Sequence, residues 1–545
     1  MAGVGNYRRR ARILGLLFAT VALAACSGGG KPNGTEASPA PKQGGTAVLG
    51  TIADVDSWNE YLSRQSFASN LHRRIFLRLA QETGDWSDHP PGYEPLLAES
   101  WSSSQDGKAI TFRLRNAVWS DGRPITASDV RYTFKAQTSR DVSWTGAGSK
   151  ARITDVEIVD EHTVTFRFDA VYPEQLADAV EGGILPEHVF GQIPFAGWRT
   201  HDWSTLRIAS GPFVLEHHSP GEEIVLVRNP RYFRDGFPRL DKVVVRVVPD
   251  ATSLLTQLLA GAVDYMEGVA PREAGRVRSA AGVKLIPFDF PMYDFIGWNG
   301  SRPPFDDPDV RRAMTLAIDR KALVEDLLYG YGRVSVGPIL SFWWGADRTL
   351  EAWPYDPAEA SRLLASRGWE PRANDGVLVK NGRPLEFEIL TNAGNRLREA
   401  ALVKIQEQLS RVGARVHPIP LEMQTLVQQV TSGTFNAYLG GWRFVGKLDL
   451  KPIFGSAETP PGGSNVVRYR SAEVDRLLDA LSGVHDWRAM KPILASIERA
   501  IHRDQPCTFL YETQRLAAAG PRLRDAGIDI PADPLARLER FGLSR

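Results

Sequence analysis

At 545 residues the chain is too long for one ordinary core, and length alone favours two or three lobes built from discontinuous segments. The 65 Lys and Arg residues against 64 Asp and Glu give a net charge of +1, and with no basic tract in the folded part there is no electrostatic basis for nucleic-acid binding. The two cysteines are Cys26, in an export segment, and Cys507, so an internal disulfide framework is excluded and Cys507 reads as a small buried apolar residue.

The chain opens with Arg8-Arg9-Arg10-Ala11-Arg12, the apolar run Ile13 to Leu23, and the small residues Ala24-Ala25-Cys26-Ser27, which is the order of a secretory signal. The apolar run is too short to span a bilayer, and no later stretch supplies about 18 uninterrupted apolar residues. Residues 1–25 are therefore expected to be a signal peptide. Residues 26–43, with Gly28-Gly29-Gly30, Pro32, Pro39 and Pro41, are expected to form a flexible tether, because they cannot bury apolar surface.

The body begins with a strand at Gly45 to Thr51 and a helix at Leu71 to Ala80. Ala109 to Arg115 alternates as a strand and follows the turn Gln105-Asp106-Gly107, which predicts a hairpin with the segment around Leu96 to Trp101. Val156 to Val159 and Thr163 to Phe168 read as a second strand pair, and Leu185-Pro186-Glu187-His188-Val189 as a helix start with proline first. Strands at Pro212 to Leu215, Glu223 to Arg228 and Lys242 to Val248 precede a helix at Ser253 to Ala260, a layering of α/β or α+β type. Val310 to Leu328 reads as one amphipathic helix behind Asp306-Asp307-Pro308-Asp309, and Pro357 to Ser366, ended by Gly368, as a shorter one. Leu385 to Thr391, Leu397 to Val412 and Ala414 to Pro418 make one strand–helix–strand crossover. Asn392 then sits at a strand's carboxyl end, where open α/β sheets bind ligands, although an ordinary turn asparagine explains it better.

No catalytic or cofactor motif is present: no His-Glu-x-x-His, no Cys-x-x-Cys, no Gly-x-Ser-x-Gly, and no Gly-Lys pair followed by Ser or Thr as a phosphate loop requires. His217-His218 reads as a solvated pair, because adjacent strand residues face opposite ways and no partner cluster accompanies them. Phe342-Trp343-Trp344 cannot all face one core, so at least one of these aromatics is expected to line a cleft, with packing under a loop as the alternative.

Several blocks, taken in order, carry a family resemblance. Pro95-Leu96-Leu97-Ala98-Glu99-Ser100-Trp101, Ser104 to Lys108, Trp119-Ser120-Asp121-Gly122 and Pro124 to Val130 resemble the signature of bacterial solute-binding protein family 5. Ser210-Gly211-Pro212-Phe213, Arg228-Asn229-Pro230-Arg231-Tyr232-Phe233, Leu259 to Asp264 and Pro308 to Ala313 resemble further blocks of it, and Leu23-Ala24-Ala25-Cys26 resembles a bacterial lipobox. The resemblance implies an α/β, two-lobed periplasmic-binding-protein (Venus-flytrap) fold of the cluster C type, with an extra inserted subdomain. Lobe I would take 44–60, 200–288 and 512–545, the inserted lobe Ib 61–199, and lobe II 289–511, with crossings near Pro287 to Phe295 and Pro506 to Gln514 as hinges.

It also implies a monomeric, non-enzymatic subunit of an ABC importer, exported and anchored to a bacterial membrane through acylated Cys26, delivering a small peptide or other solute to permease and ATPase subunits. Peptide binders of the family hold the ligand's amino group with an Asp in a Gly-Trp-x-x-Asp stretch. The corresponding run here is Gly441-Trp442-Arg443-Phe444-Val445, so Val445 stands in place of that Asp, and Asp449 could substitute only in a rebuilt loop. Peptide-like, anionic, amide and oligosaccharide ligands stay open, with Trp442 as a stacking wall, Arg443 as a donor to an anionic or carbonyl group, and Trp343, Trp344, Asn392 and Asp449 as further candidates.

Overall fold

The computed structural model describes residues 43–444, 447–531 and 533–544. The expected signal peptide, Cys26, the tether up to residue 42, and Val445 lie outside the described residues.

Lys242–Val247 alternates buried and half-buried side chains, as its Val-Val-Val sequence dictates, and pairs in parallel with Thr46–Thr51. These two strands belong to an 11-stranded sheet in the order Arg415–Leu421, Glu386–Asn392, Ala437–Arg443, Lys284–Trp298, Cys507–Ala519, Tyr265–Glu267, Thr46–Thr51, Lys242–Val247, Glu223–Arg228 and Phe213–Ser219, with Gly332–Val334 pairing beside Cys507–Ala519. The two longest strands join its halves. Lys284 to Asp289 pairs with Gln514 to Ala519 beside Tyr265–Glu267 on the lobe I side, whereas Met292 to Trp298 pairs with Ala437–Arg443 on the lobe II side. The register between the long strands shifts between Asp289 and Tyr293, within the stretch expected as a crossing.

A separate four-stranded sheet runs in the order Ala98–Ser103, Ala109–Leu114, Thr163–Phe168 and Ile153–Asp160, within the stretch 61–199 expected as the inserted lobe. Its first hairpin closes as predicted: Gly107 takes φ +68°, and the Asp106 carboxylate accepts from Ser104 Oγ at 2.6 Å and Lys108 N at 3.0 Å. In lobe II, Glu386–Asn392, the helix Arg396–Ser410 and Arg415–Leu421 form the predicted crossover with its strands parallel.

Two helices differ from expectation. Val310 to Leu328 is not one helix but two, Pro308–Leu316 and Arg320–Leu328, because the Asp319 side chain accepts from Ala322 N at 2.9 Å and caps a new start. The helix expected at Leu71 to Ala80 is Ser66–Ile75; Phe76 leaves it in an extended conformation, and Ala80 opens a short strand paired with Tyr93–Pro95. Phe76, Leu77 and Leu79 are buried, so apolar spacing continues past the end of the helix. Cys507 is buried at the start of its strand, as expected.

Candidate functional site

Where the halves of the sheet meet, a cavity of about 470 Å³ opens between the lobes. Gly50 to Ala53 and Glu267 to Val269 wall it from lobe I, and Met292, Asp294 and Arg398 from lobe II. The lobe II wall is internally paired: Arg398 donates to Asp294 through Nη2 at 2.8 Å and Nε at 3.3 Å, and through Nη1 to Asn392 Oδ1 at 2.9 Å. Burial raises the Asp294 carboxyl, and the Arg398 hydrogen bonds oppose this. Gln514, also on the wall, donates to Asp289 at 3.0 Å.

Glu267 and Arg515 are different. Glu267 closes the strand Tyr265–Glu267, and its Oε1 is buried with no donor among the described residues. Burial pushes its carboxyl up to about 7, Asp533 adds to the shift, and Arg515 opposes it. The Arg515 guanidinium lies over the Phe290 ring, 3.3 Å from its centroid, and burial with the nearby Arg443 charge brings it down to about 10. Arg443 approaches the same ring, at 5.1 Å.

A second cavity, of about 310 Å³, adjoins Arg443 and is rich in positive charge, with Arg64, Arg73 and Arg78 facing Glu60 and Glu181. Arg73 pairs with Asp533 at 3.3 Å and Arg78 with Glu60 at 4.0 Å. Here the lobes touch. Arg443 Nη1 donates to Ser66 Oγ at 2.8 Å, Lys447 pairs with Asp178, and Trp86 meets Trp343 edge-on at 5.9 Å.

The sequence candidates are distributed unevenly over this geometry. Arg443 is exposed and lines the smaller cavity; Trp442, opposite Tyr293 in the sheet, is half-buried against the lobe II core and lines neither cavity. Trp343 and Trp344 are 4% and 7% exposed and also line neither. Trp343 packs on Phe444 at 5.1 Å and Trp344 on Trp487 at 6.1 Å, so both are core residues, and Phe342 is the half-buried member of the trio. Asn392 ends its strand and reaches the site only through Arg398. Asp449 is exposed, accepts from Lys451 N at 3.1 Å, and lines neither cavity.

Of the histidines, His217 is exposed, but His218 is not solvated as expected. It is half-buried after the register shift between Leu215 and His217, accepts from Trp58 Nε1 at 2.9 Å, and its Nε2 lies 3.0 Å from Asp54. Glu267, Arg398 and Arg515 carry no motif that marks them in the sequence. Only the pairing of Tyr265–Glu267 with Cys507–Ala519 brings the first and last together.

A family model for bacterial extracellular solute-binding proteins, family 5 (middle), matches residues 92–453. The oligopeptide-binding protein AppA of Bacillus subtilis is 30% identical over 507 residues, covering 91% of this chain and 92% of the relative. A solved structure of AppA from Bacillus subtilis in complex with a nonapeptide is similar with a TM-score of 0.76 at 29% identity, over 93% of this chain and 100% of that one. Heme-binding protein A of Haemophilus influenzae is 25% identical over 540 residues, covering 94% of this chain and 95% of the relative. NikA from Brucella suis in complex with Fe(III)-EDTA shares the fold, with a TM-score of 0.80 at 21% identity over 92% of this chain and 100% of that one.

Proposed function

Because the chain belongs to the bacterial extracellular solute-binding proteins of family 5, we propose that it captures peptides or peptide-like solutes between its lobes for an ABC importer. The observation that carries this reading is the cavity walled by both lobes: a ligand that touches both gains contacts only when they are together, and so favours the closed form. In this reading Arg515, on the interlobe cavity, and Arg443, on the smaller cavity beside it, offer donors to a carbonyl or carboxylate group, whereas Trp442, expected as a stacking wall, lines neither cavity. The oligopeptide relative and its nonapeptide complex support a peptide ligand. Hydrolysis of ATP and passage through the membrane fall to other subunits, and no catalytic step is assigned to this chain.

The same reading takes 289–511 as lobe II, 61–199 as the inserted lobe, and Cys26 as the acylated residue that anchors an exported, monomeric protein to a bacterial membrane. A second reading, transport of a non-peptide solute, draws on Val445 at the position where peptide binders of the family carry an Asp, and on a relative named for heme binding. Thermal-shift screening of the purified protein against peptide and oligosaccharide libraries tests both, because a specific ligand raises the melting temperature by mass action. Peptide hits support the first reading; sugar hits alone replace it with the second.

A further inference from the structure

Resting on the reading of the interlobe cavity as the ligand site, we propose that Glu267 receives a cationic nitrogen of the ligand, so that the cavity selects solutes bearing a free ammonium group.

The polar wall of this cavity is already satisfied at most positions. Asp294 and Arg398 neutralise each other, Gln514 is held by Asp289, and Asn395 Oδ1 is occupied by Arg398 N at 3.2 Å as a helix cap. Glu267 is the exception among the carboxylates of the wall: its Oε1 is buried, and no donor among the described residues reaches it. A carboxyl removed from water without a hydrogen bond is costly, and a fold that keeps one beside a cavity has a use for it or loses stability to it.

The obvious internal partner is not used. Glu267 lies opposite Ala517, and Arg515 is its diagonal neighbour on the adjoining strand, close enough in principle for a cross-strand pair. The Arg515 guanidinium is instead drawn over Phe290, and no ion pair between the two is formed. On the other side Gly268, at φ +76°, turns the chain immediately after the carboxylate, and a Cβ placed on it would meet nothing within 4 Å. An ammonium is the group that best fits such a position, since it supplies N–H donors and charge together, and the carboxylate accepts both. The raised carboxyl, at about 7, is consistent with a site completed by a cation from outside.

The other charged groups that face Glu267 are Asp533, which is engaged by Arg73 and Arg74, and Arg515. With Arg515 beside it, the wall presents one acceptor and one donor, which suits a ligand carrying both an ammonium and a carboxylate or carbonyl.

The test uses the purified protein and a defined pool of tri- to pentapeptides with free amino termini, alongside the same pool after N-acetylation, with retained peptides read by mass spectrometry. Wild-type protein is expected to retain members of the free pool, and acetylation or Glu267→Gln is expected to cut retention of those members roughly ten- to a hundredfold. Affinity of a retained peptide should rise between about pH 6 and 8 as the carboxyl ionises, and this rise should vanish in Glu267→Gln. Melting temperatures of both proteins exclude a folding defect, and Glu267→Asp, which keeps the charge, should restore part of the preference. Retention by wild type that neither acetylation nor Glu267→Gln changes would overturn the role of Glu267 while leaving the peptide reading intact. Retention of nothing from either pool would overturn the peptide reading and this proposal with it.

Discussion

The Arg443 guanidinium donates to the Ser66 hydroxyl at 2.8 Å, joining the end of a lobe II strand to the first residue of the helix Ser66–Ile75. This places a guanidinium where the lobes meet, beside Phe290 and next to a cavity that also holds Arg64, Arg73 and Arg78. Although the side chain keeps solvent contact, partial desolvation at the cavity rim and the Arg73 charge both lower its proton affinity, and no carboxylate among the described residues pairs with it.

Replacing it should therefore weaken binding of a ligand that brings a carbonyl or carboxylate. Calorimetric titration of a ligand from the thermal screen against Arg443→Ala is expected to show a loss of about 1.5–3 kcal/mol, or roughly ten- to a hundredfold. Trp442→Ala, whose ring lines neither cavity, and Ser66→Ala, which removes only a neutral partner, should each change it little. Unchanged affinity in Arg443→Ala would place the ligand elsewhere in the cleft.

The buried pair Asp294–Arg398 gives a stability prediction. Both side chains are at most 10% exposed, and the guanidinium meets the carboxylate through two nitrogens. Arg398→Ala leaves Asp294 buried without its counter-charge, so the denaturant midpoint should fall by an equivalent of about 3–5 kcal/mol. The double change Asp294→Leu with Arg398→Leu should cost much less than Arg398→Ala alone, because no charge is left stranded.

How much of this is legible in sequence depends on the range over which each feature is decided. The alternation of Lys242–Val247 and the Asp106-Gly107 turn are decided within a few residues, and both form as the sequence predicts. The break at Asp319 is hidden because apolar spacing runs on through Ala317 and Ile318, both buried, so the only local signal is one capping carboxylate. At the site, Arg443 is legible through a short family motif. Glu267 and Arg515 are not, because their proximity depends on strand pairing between distant parts of the chain. Trp343 and Trp344 resemble cleft aromatics because residues that alternate along a strand cannot share one core, but their segment is a turn, Trp343 N donating to Leu340 O at 2.9 Å, and both rings pack inward.

Stability should fall as pH rises from about 6.5 to about 8. Burial pushes Glu498 up to about 8, with the Asp347 and Glu512 charges adding to it, and pushes Glu82, Glu174 and Glu267 up to about 7. In the unfolded chain these groups have ionised by about pH 4.3–4.5, so above that value the folded protein binds more protons, and its stability declines until the folded values are passed. His72 and His502, both lowered by burial, act in the opposite direction, but only below about pH 6.5. Urea midpoints of wild type should drop across this window, and those of Glu498→Gln should drop less. A flat wild-type profile would contradict the assignment.

Cys26 should carry the membrane anchor. The charged segment, the apolar run and Leu23-Ala24-Ala25-Cys26 together predict cleavage before Cys26 and acylation of its thiol. Mass spectrometry of protein extracted from membranes is expected to find a lipid-modified amino-terminal residue 26, and Cys26→Ser should release the protein into the soluble fraction. An unmodified amino terminus elsewhere would rule the anchor out.

The last prediction concerns closure. The strands Lys284–Trp298 and Cys507–Ala519 join the two halves of the sheet, and the register shift between Asp289 and Tyr293 marks where their pairing changes from lobe I to lobe II neighbours. Rotation at this point would separate the contacts on the far side of the cleft: Arg443 from Ser66, Trp86 from Trp343, and Lys447 from Asp178. Of these, the Lys447 contact is the most sensitive to substitution, because Asp178 is buried in the inserted subdomain and keeps only the Tyr172 hydroxyl, at 2.7 Å, as a side-chain donor when Lys447 is removed. Lys447→Met should therefore disfavour the closed form and weaken binding by about 1 kcal/mol, roughly fivefold, chiefly through faster dissociation. Small-angle scattering should show the wild-type protein becoming more compact at saturating ligand, and Lys447→Met should need more ligand to reach the same profile. Identical wild-type profiles with and without ligand would show that the lobes do not move about these strands.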